Sequence, residues 1–392
     1  VVVERLVAGG DGLARLADGR VVFVEGALPG ERVLVEVVRS RRDYANGRVV
    51  TFITEGPDRV APPCPHVPQG CGGCDWQHID QSAQLDHKVS IVREAFARTG
   101  RLEHPWLDGG GSVPPWGYRT TARLAARPDG RLGLRGRRSH EVVALDQCDV
   151  LHPRLAAVLP ELRAHGRGEI TLRWSVATGA MTAALDPGVR LTGDEEVVAA
   201  IDASPDASLV ERVSGVDLRV RARSFFQSGP AAAELLVGAV RRAAGPALDG
   251  VVIDAYGGVG LFSAALGVTD GVLVEASPDA CADARHNLAR SNVQVERSAV
   301  EEWRPVPAGL VIADPARDGL GRSGAAAIVA TQAARVVLVG CDPVATARDG
   351  RLLVEHGYRP AGALVLDLFP QTHHVEVVAR YDRRHNDEFE FW

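Results

Sequence analysis

The sequence predicts an α/β chain in three parts: a small N-terminal β-barrel over residues 1–56, a β-rich middle over 57–222, and a doubly wound parallel sheet over 223–392. Three observations carry this. From residue 223 helical and apolar strand segments alternate, as in strands joined by crossover helices. Residues 1–56 hold short apolar runs broken at ADGR (17–20) and LPGER (28–32), which are turn signals. Between these parts, Pro57, Pro62, Pro63, Pro65 and Pro68 mark a linker.

A chain of 392 residues suits two or three domains. Its 46% apolar and 24% charged residues fit a globular protein and exclude disordered, collagen-like and disulfide-scaffold chains. No apolar run reaches membrane-spanning length, and VVVERLVAGG lacks a basic region followed by an apolar core. The expectation is a cytoplasmic protein with no membrane partner. The net charge of −6 means that any nucleic-acid surface must be local. Lys88 is the one lysine among 44 basic residues; the arginine bias fits a GC-rich genome.

Taken in order, about five short strands in residues 1–56 fit a barrel of the oligonucleotide-binding kind. Eight acidic and eight basic side chains leave that module neutral, although Arg39, Arg41 and Arg42 beside Tyr44 could present cations and a ring to RNA. Residues 80–100 have apolar residues at helical spacing and a glycine stop, predicting a helix. From Pro114 to about Val220 the pattern turns to strands. Residues 116–140 carry seven arginines (119, 123, 127, 131, 135, 137 and 138) against the single acid Asp129. Flanked by Trp116 and Tyr118, they predict an RNA-facing strand surface rather than a merely solvated one.

The C-terminal part carries the chemistry. In DAYGGVG (254–260), at the end of an apolar strand, glycines let the backbone approach a ligand. Glu275 ends the next strand, where an acid accepts ribose hydroxyls; S-adenosylmethionine and a dinucleotide suit this pattern equally. Asp314 in ADPARDG and Cys341 in GCDP stand at further strand ends. A thiol at a crevice mouth can be a nucleophile, whereas Cys281, inside a helix, reads as a buried small residue. In DLFPQTHHVE (367–376), Glu376 reads as a base in a loop, with one of His373 and His374 orienting it. Cys64, Cys71, Cys74 and the distant Cys148 give four thiols, suited to a [4Fe–4S] cluster or to zinc.

These segments together are similar to a known family. QGCGGCDWQHI, YRTTARL with GRLGLRGRRSHEVV, SFFQSGPAAAELL, DAYGGVGLFS, ADPARDGLG, GCDPVATARD and DLFPQTHHVE occur in order across nearly the whole chain. The chain resembles the S-adenosylmethionine-dependent RNA uridine-5-methyltransferases, in particular the 23S ribosomal RNA branch. The resemblance implies a Rossmann-like class I methyltransferase domain, an N-terminal OB-like TRAM barrel and a central iron–sulfur domain. It implies Cys341 as nucleophile, Glu376 as general base and Asp314 as the residue that orients the uracil. Gln227, Tyr256, Gly258, Glu275 and Asp314 fall where the family contacts the methyl donor. Cys64, Cys71, Cys74 and Cys148 fall on the [4Fe–4S] ligands. The implied partner is RNA, ribosomal first and transfer RNA second, with the protein a monomer. Gly257, Ala316, Gly340, Asp342 and Gly229 depart from the family's Cys, Pro, Ser, Asn and Asn. Arg317, where cytosine-5 enzymes carry a cysteine, points to uridine.

Overall fold

The computed structural model describes residues 1–102, 107–246 and 250–383. The first fifty-odd residues form a five-stranded sheet in the order Val3–Leu6, Gly12–Arg15, Val21–Glu25, Tyr44–Thr54, Arg32–Ser40. A bridge from Val2 to Arg32 brings its two edges together. Alternation drives this: Val22 and Val24 point inward with Val3, Val33 and Ala45 to make a small core.

The middle of the chain builds a second sheet of six strands, ordered Ile201–Asp202, Met181–Leu185, Glu169–Trp174, Thr121–Ala126, Leu132–Arg135, Val142–Ala144. Its apolar face, with Leu124, Leu132, Ile170 and Leu172, closes over the short helix Pro153–Val158 through Leu155. The arginine-rich strands lie in this sheet, but their charges are not free. Arg123 and Arg135 both reach Glu169, Arg131 reaches Asp146, and Arg127 lies 3.6 Å from Asp129. Arg137 and Arg138 cross to Glu25 and Asp11 of the barrel. Of the seven, Arg119 alone has no carboxylate partner among the described residues. The strand alternation seen in the sequence cannot show this, because all the acids but Asp129 come from outside the stretch.

The third sheet has eight strands in the order Asn292–Arg297, Asp270–Glu275, Val252–Ala255, Leu310–Ala313, Arg335–Gly340, Glu376–Arg383, Tyr358–Asp367, Leu107–Ser112. Glu376–Arg383 runs antiparallel to both neighbours and the other pairings are parallel. Val252–Ala255 comes first within the C-terminal run, and the chain leaves it to one side and later returns on the other. The gap between Val252–Ala255 and Leu310–Ala313 is therefore the switch point where such sheets bind ligands. The edge strand Leu107–Ser112 and helix Gln81–Ala95 come from the middle of the chain, yet they pack here. Val89, Val92, Ala95 and Phe96 share one core with Ile253, Val311, Val336 and Tyr381. Each such buried apolar side chain contributes about 1.5–3 kcal/mol over its exposed state. Asp80 caps the helix by accepting from Ser82 N, and Arg101, left-handed at φ 52°, ends it. Among the described residues no helix is long and apolar enough to cross a membrane.

Candidate active site

The strands of the third sheet end together along one edge, and the predicted side chains lie on that edge. Parallel pairing sets Ala255 level with Val274 and with Ala313, so Tyr256, Glu275 and Asp314 follow at neighbouring strand ends. Tyr256 is left-handed at φ 59°, as are Gly258 at 53° and Gly260 at 85°. Three such residues in five make a tight turn whose N–H groups are used internally, Gly257 N donating to Val274 O and Gly260 N to Gly257 O. Glu275 is fixed against this turn: its carboxylate accepts from Gly258 N at 3.0 Å and from Ser277 N at 2.6 Å. A side chain built at Gly258 would meet nothing within 4 Å, so the space over the turn is open to a ligand. Asp254, below it, is held through one oxygen by Ser263, while its Oδ1 is buried without a partner. Glycine turn, ribose-type acid and open cradle together fit the nucleoside of a methyl donor. Gln227 is buried just ahead of helix Pro230–Ala244.

Cys341, Asp314 and Glu376 converge. Antiparallel pairing sets Gly340 opposite Val377, which puts Cys341 beside Glu376. Burial, then the charges of Glu376 and Asp314, push the Cys341 thiol up to about 11, against a lowering pull from Arg317. Burial and Asp254 push Asp314 up to about 7. Burial, with Asp314 beside it, drives Glu376 well above the ordinary carboxylate range. Only the ionised form of either carboxyl group accepts the thiol proton, and a cation bound nearby favours that form. The cluster also favours a cationic ligand.

Glu376 begins a strand rather than lying within a loop, and no hydrogen bond joins it to either histidine. His373 instead pairs with Asp75. His374 lies edge-on to Phe369 and is pulled down to about 3 by burial first, with His373 and Arg317 adding.

Cys64, Cys71, Cys74 and Cys148 line one cavity. Burial and mutual repulsion raise Cys74 to about 12, and burial, with Cys71 adding, raises Cys148 to about 11. The four predicted ligands therefore share a cavity, but among the described residues no group of three or more His, Cys, Asp or Glu is arranged to hold a metal ion, so the predicted metal site is not formed in this structure. Cys281 is buried and donates to Glu275 O, as its reading as a core residue requires.

The sequence reading missed Asp75, Gln84 and Lys88, which all bond to the segment 367–373. Gln84 and Lys88 fall four apart on the apolar stripe of their helix, and polar residues on a buried stripe are a signal for internal partners.

Comparison with known proteins adds four likenesses. Residues 1–50 match the TRAM domain model. An uncharacterised RNA methyltransferase of Streptomyces avermitilis is 35% identical, with 97% of this chain and 96% of that protein covered. The 23S rRNA (uracil(1939)-C(5))-methyltransferase RlmD of Methylococcus capsulatus is 33% identical over 97% of this chain and 96% of its own. Among solved structures, the tRNA (uracil-54, C5)-methyltransferase of Pyrococcus abyssi, in complex with S-adenosyl-L-homocysteine, superposes with a TM-score of 0.74. It is 22% identical, with 97% and 99% of the two chains covered.

Proposed function

The chain belongs to the S-adenosylmethionine-dependent RNA uracil-C5 methyltransferase family, and from that membership we propose that it methylates C5 of a uridine in 23S ribosomal RNA through a covalent bond between Cys341 and uracil C6. The observation that carries the reading is the meeting of Cys341, Asp314 and Glu376 at the strand ends beside the glycine turn.

Uracil C5 is too weak a nucleophile to take a methyl group unaided. Cys341 gives its thiol proton to a neighbouring carboxylate and adds through sulfur to C6, which places electron density on C5 and the O4 enolate. Asp314, whose charge acts on Cys341, orients the ring. The bound donor supplies an electrophilic methyl group on a sulfonium, whose positive charge suits the surrounding Asp254, Glu275, Asp314 and Glu376. Glu376 then removes the C5 proton, the C5–C6 double bond re-forms, and the Cys341 thiolate leaves. A stacked base cannot reach such a pocket, so the nucleotide is flipped out of its helix. Gln227, Tyr256, Gly258 and Glu275 bind the donor.

Cys64, Cys71, Cys74 and Cys148 fit a [4Fe–4S] cluster as its four thiolate ligands. Bound there, the cluster would shape the loop that faces RNA; methyl transfer is redox-neutral and needs no electron from it. The protein acts as a cytoplasmic monomer, with RNA supplying the partner surface.

Nucleoside mass spectrometry tests this. Unmodified ribosomal and transfer RNA transcripts are incubated with S-adenosylmethionine and with wild type or Cys341→Ala. We expect 5-methyluridine in 23S RNA with wild type only. Methylation confined to transfer RNA moves the substrate, and its absence from every RNA leaves an RNA-binding or ribosome-assembly role.

A further inference from the structure

Glu376 makes no side-chain hydrogen bond among the described residues, so its backbone sets its place. Downstream, strand Glu376–Arg383 is locked between two neighbours. Upstream, the segment 368–375 is outside any strand and is gripped by a distant part of the chain. Trp76 N donates to Gln371 O at 2.9 Å. Gln371, left-handed at φ 68°, exchanges two bonds with Gln84, its N donating at 2.8 Å and its Oε1 accepting at 3.1 Å. Asp75 takes both the backbone N–H of His373, at 3.0 Å, and the ring Nδ1 of His373. The barrel closes over the pair, since a side chain at Gly10 would meet His373 Cβ and Trp76 Nε1 each at 2.7 Å.

We propose that Asp75 and His373 form a clamp through which the loop bearing Cys71 and Cys74 positions Glu376, three residues beyond His373, for removal of the C5 proton. The inference rests on the methylation reading above. Both are positioning residues, because neither touches the reacting atoms. A bidentate pair, fixing backbone and ring together, holds direction as well as distance. The adjoining bonds from Trp76 and Gln84 fix the middle of the segment, so that the clamp sets how the chain enters the strand that begins at Glu376. Displacement of a base by about 1 Å costs about 100-fold in rate, so loosening the clamp acts on catalysis before it acts on binding.

The test compares wild type with Asp75→Ala, His373→Ala, the double variant and Asp75→Asn, which keeps an acceptor for the His373 N–H. Three quantities are read on one RNA: kcat, KM, and the fraction of protein in a denaturation-resistant adduct with RNA. Each alanine variant should lose about 10-fold or more in kcat with KM within about twofold. Adduct should accumulate, because Cys341 still adds while proton removal lags. The double variant should be no worse than the worse single, and Asp75→Asn should retain most activity. Unchanged kcat overturns the proposal. So does a joint fall of kcat and adduct, as Cys341→Ala would give, or losses that multiply in the double variant. If Asp75→Ala disturbs the cysteine loop or the fold, His373→Ala, outside that loop, decides alone. A wild type that makes no 5-methyluridine refutes the methylation reading itself, and the clamp with it, a result distinct from an active wild type with indifferent variants.

Discussion

Cys341 meets the condition for a restrained nucleophile: burial and two acids hold its thiol up to about 11, so the free protein carries little thiolate at neutral pH. Its alkylation by iodoacetamide, followed by peptide mass spectrometry, should be slow at pH 7 and rise steadily towards pH 10. Glu376→Gln or Asp314→Asn removes a raising charge and should move that rise to lower pH; an unshifted profile would contradict the electrostatic account. That Cys341 and Asp314 stand at strand ends was legible in the sequence because each closes an apolar run, whereas Glu376, read as part of a loop, opens a strand. The departures from the family needed the packing to make sense. A side chain at Gly257 would meet Leu273 Cγ at 2.5 Å, and one at Gly340 would meet Thr346 Oγ1 at 2.1 Å, so neighbours fill the space the family's Cys and Ser would use. Asp342 does the work of an N-cap, accepting from Val344 N and Ala345 N. The link between a histidine and Glu376 was misread because adjacent residues in sequence say nothing of Asp75, almost three hundred positions away.

Helix Gln81–Ala95 joins the middle of the chain to the C-terminal sheet, and its one buried cation fixes the joint. Lys88 Nζ donates to Asp367 Oδ1 at 2.6 Å and to Phe369 O at 3.2 Å, and lies 5.5 Å from the centre of the Trp76 ring. Both partners are buried, so removing one leaves an uncompensated group. Lys88→Met should lower stability by about 3–5 kcal/mol, read as a drop in the denaturant midpoint, and adding Asp367→Leu should recover most of it. Equal loss in single and double variants would show that the cation acts by packing alone. Periodicity made the helix legible, but the left-handed residue that ends it is Arg101, one past the expected glycine stop. Periodicity could not show that a lysine consistent with codon bias is the tie to a strand end far along the chain.

Taken whole, the molecule is acidic, and most of its densest arginine stretch is paired with carboxylates, Arg137 and Arg138 across to the barrel and the others within the middle of the chain. Arg119 differs. It lies on a cleft of about 370 Å³ with Thr372, His373 and His374, and its guanidinium sits about 6 Å from the Tyr118 and Phe369 rings. If this cation meets an RNA phosphate, Arg119→Ala should weaken binding of a 23S RNA transcript and make the salt dependence shallower by about 0.7–0.9 in log–log slope. Arg131→Ala, whose partner is Asp146, should leave the slope unchanged, and equal slopes in all three proteins would exclude a phosphate contact. The N-terminal strands, the central strands and the C-terminal alternation were legible because alternation and turns are local signals, but that Gln81–Ala95 and Leu107–Ser112 join the C-terminal sheet was not. Which charges remain free was not, since pairing depends on how the sheets meet. The central claim, a covalent bond from Cys341 to uracil, is tested most directly by RNA in which uridine is replaced by 5-fluorouridine, whose C5 fluorine Glu376 cannot remove as a proton. With S-adenosylmethionine, wild type should form a denaturation-resistant adduct whose intact mass equals protein plus methylated RNA, and Cys341→Ala should form none; 5-methyluridine made by Cys341→Ala on ordinary RNA, or no adduct from an active wild type, would contradict it.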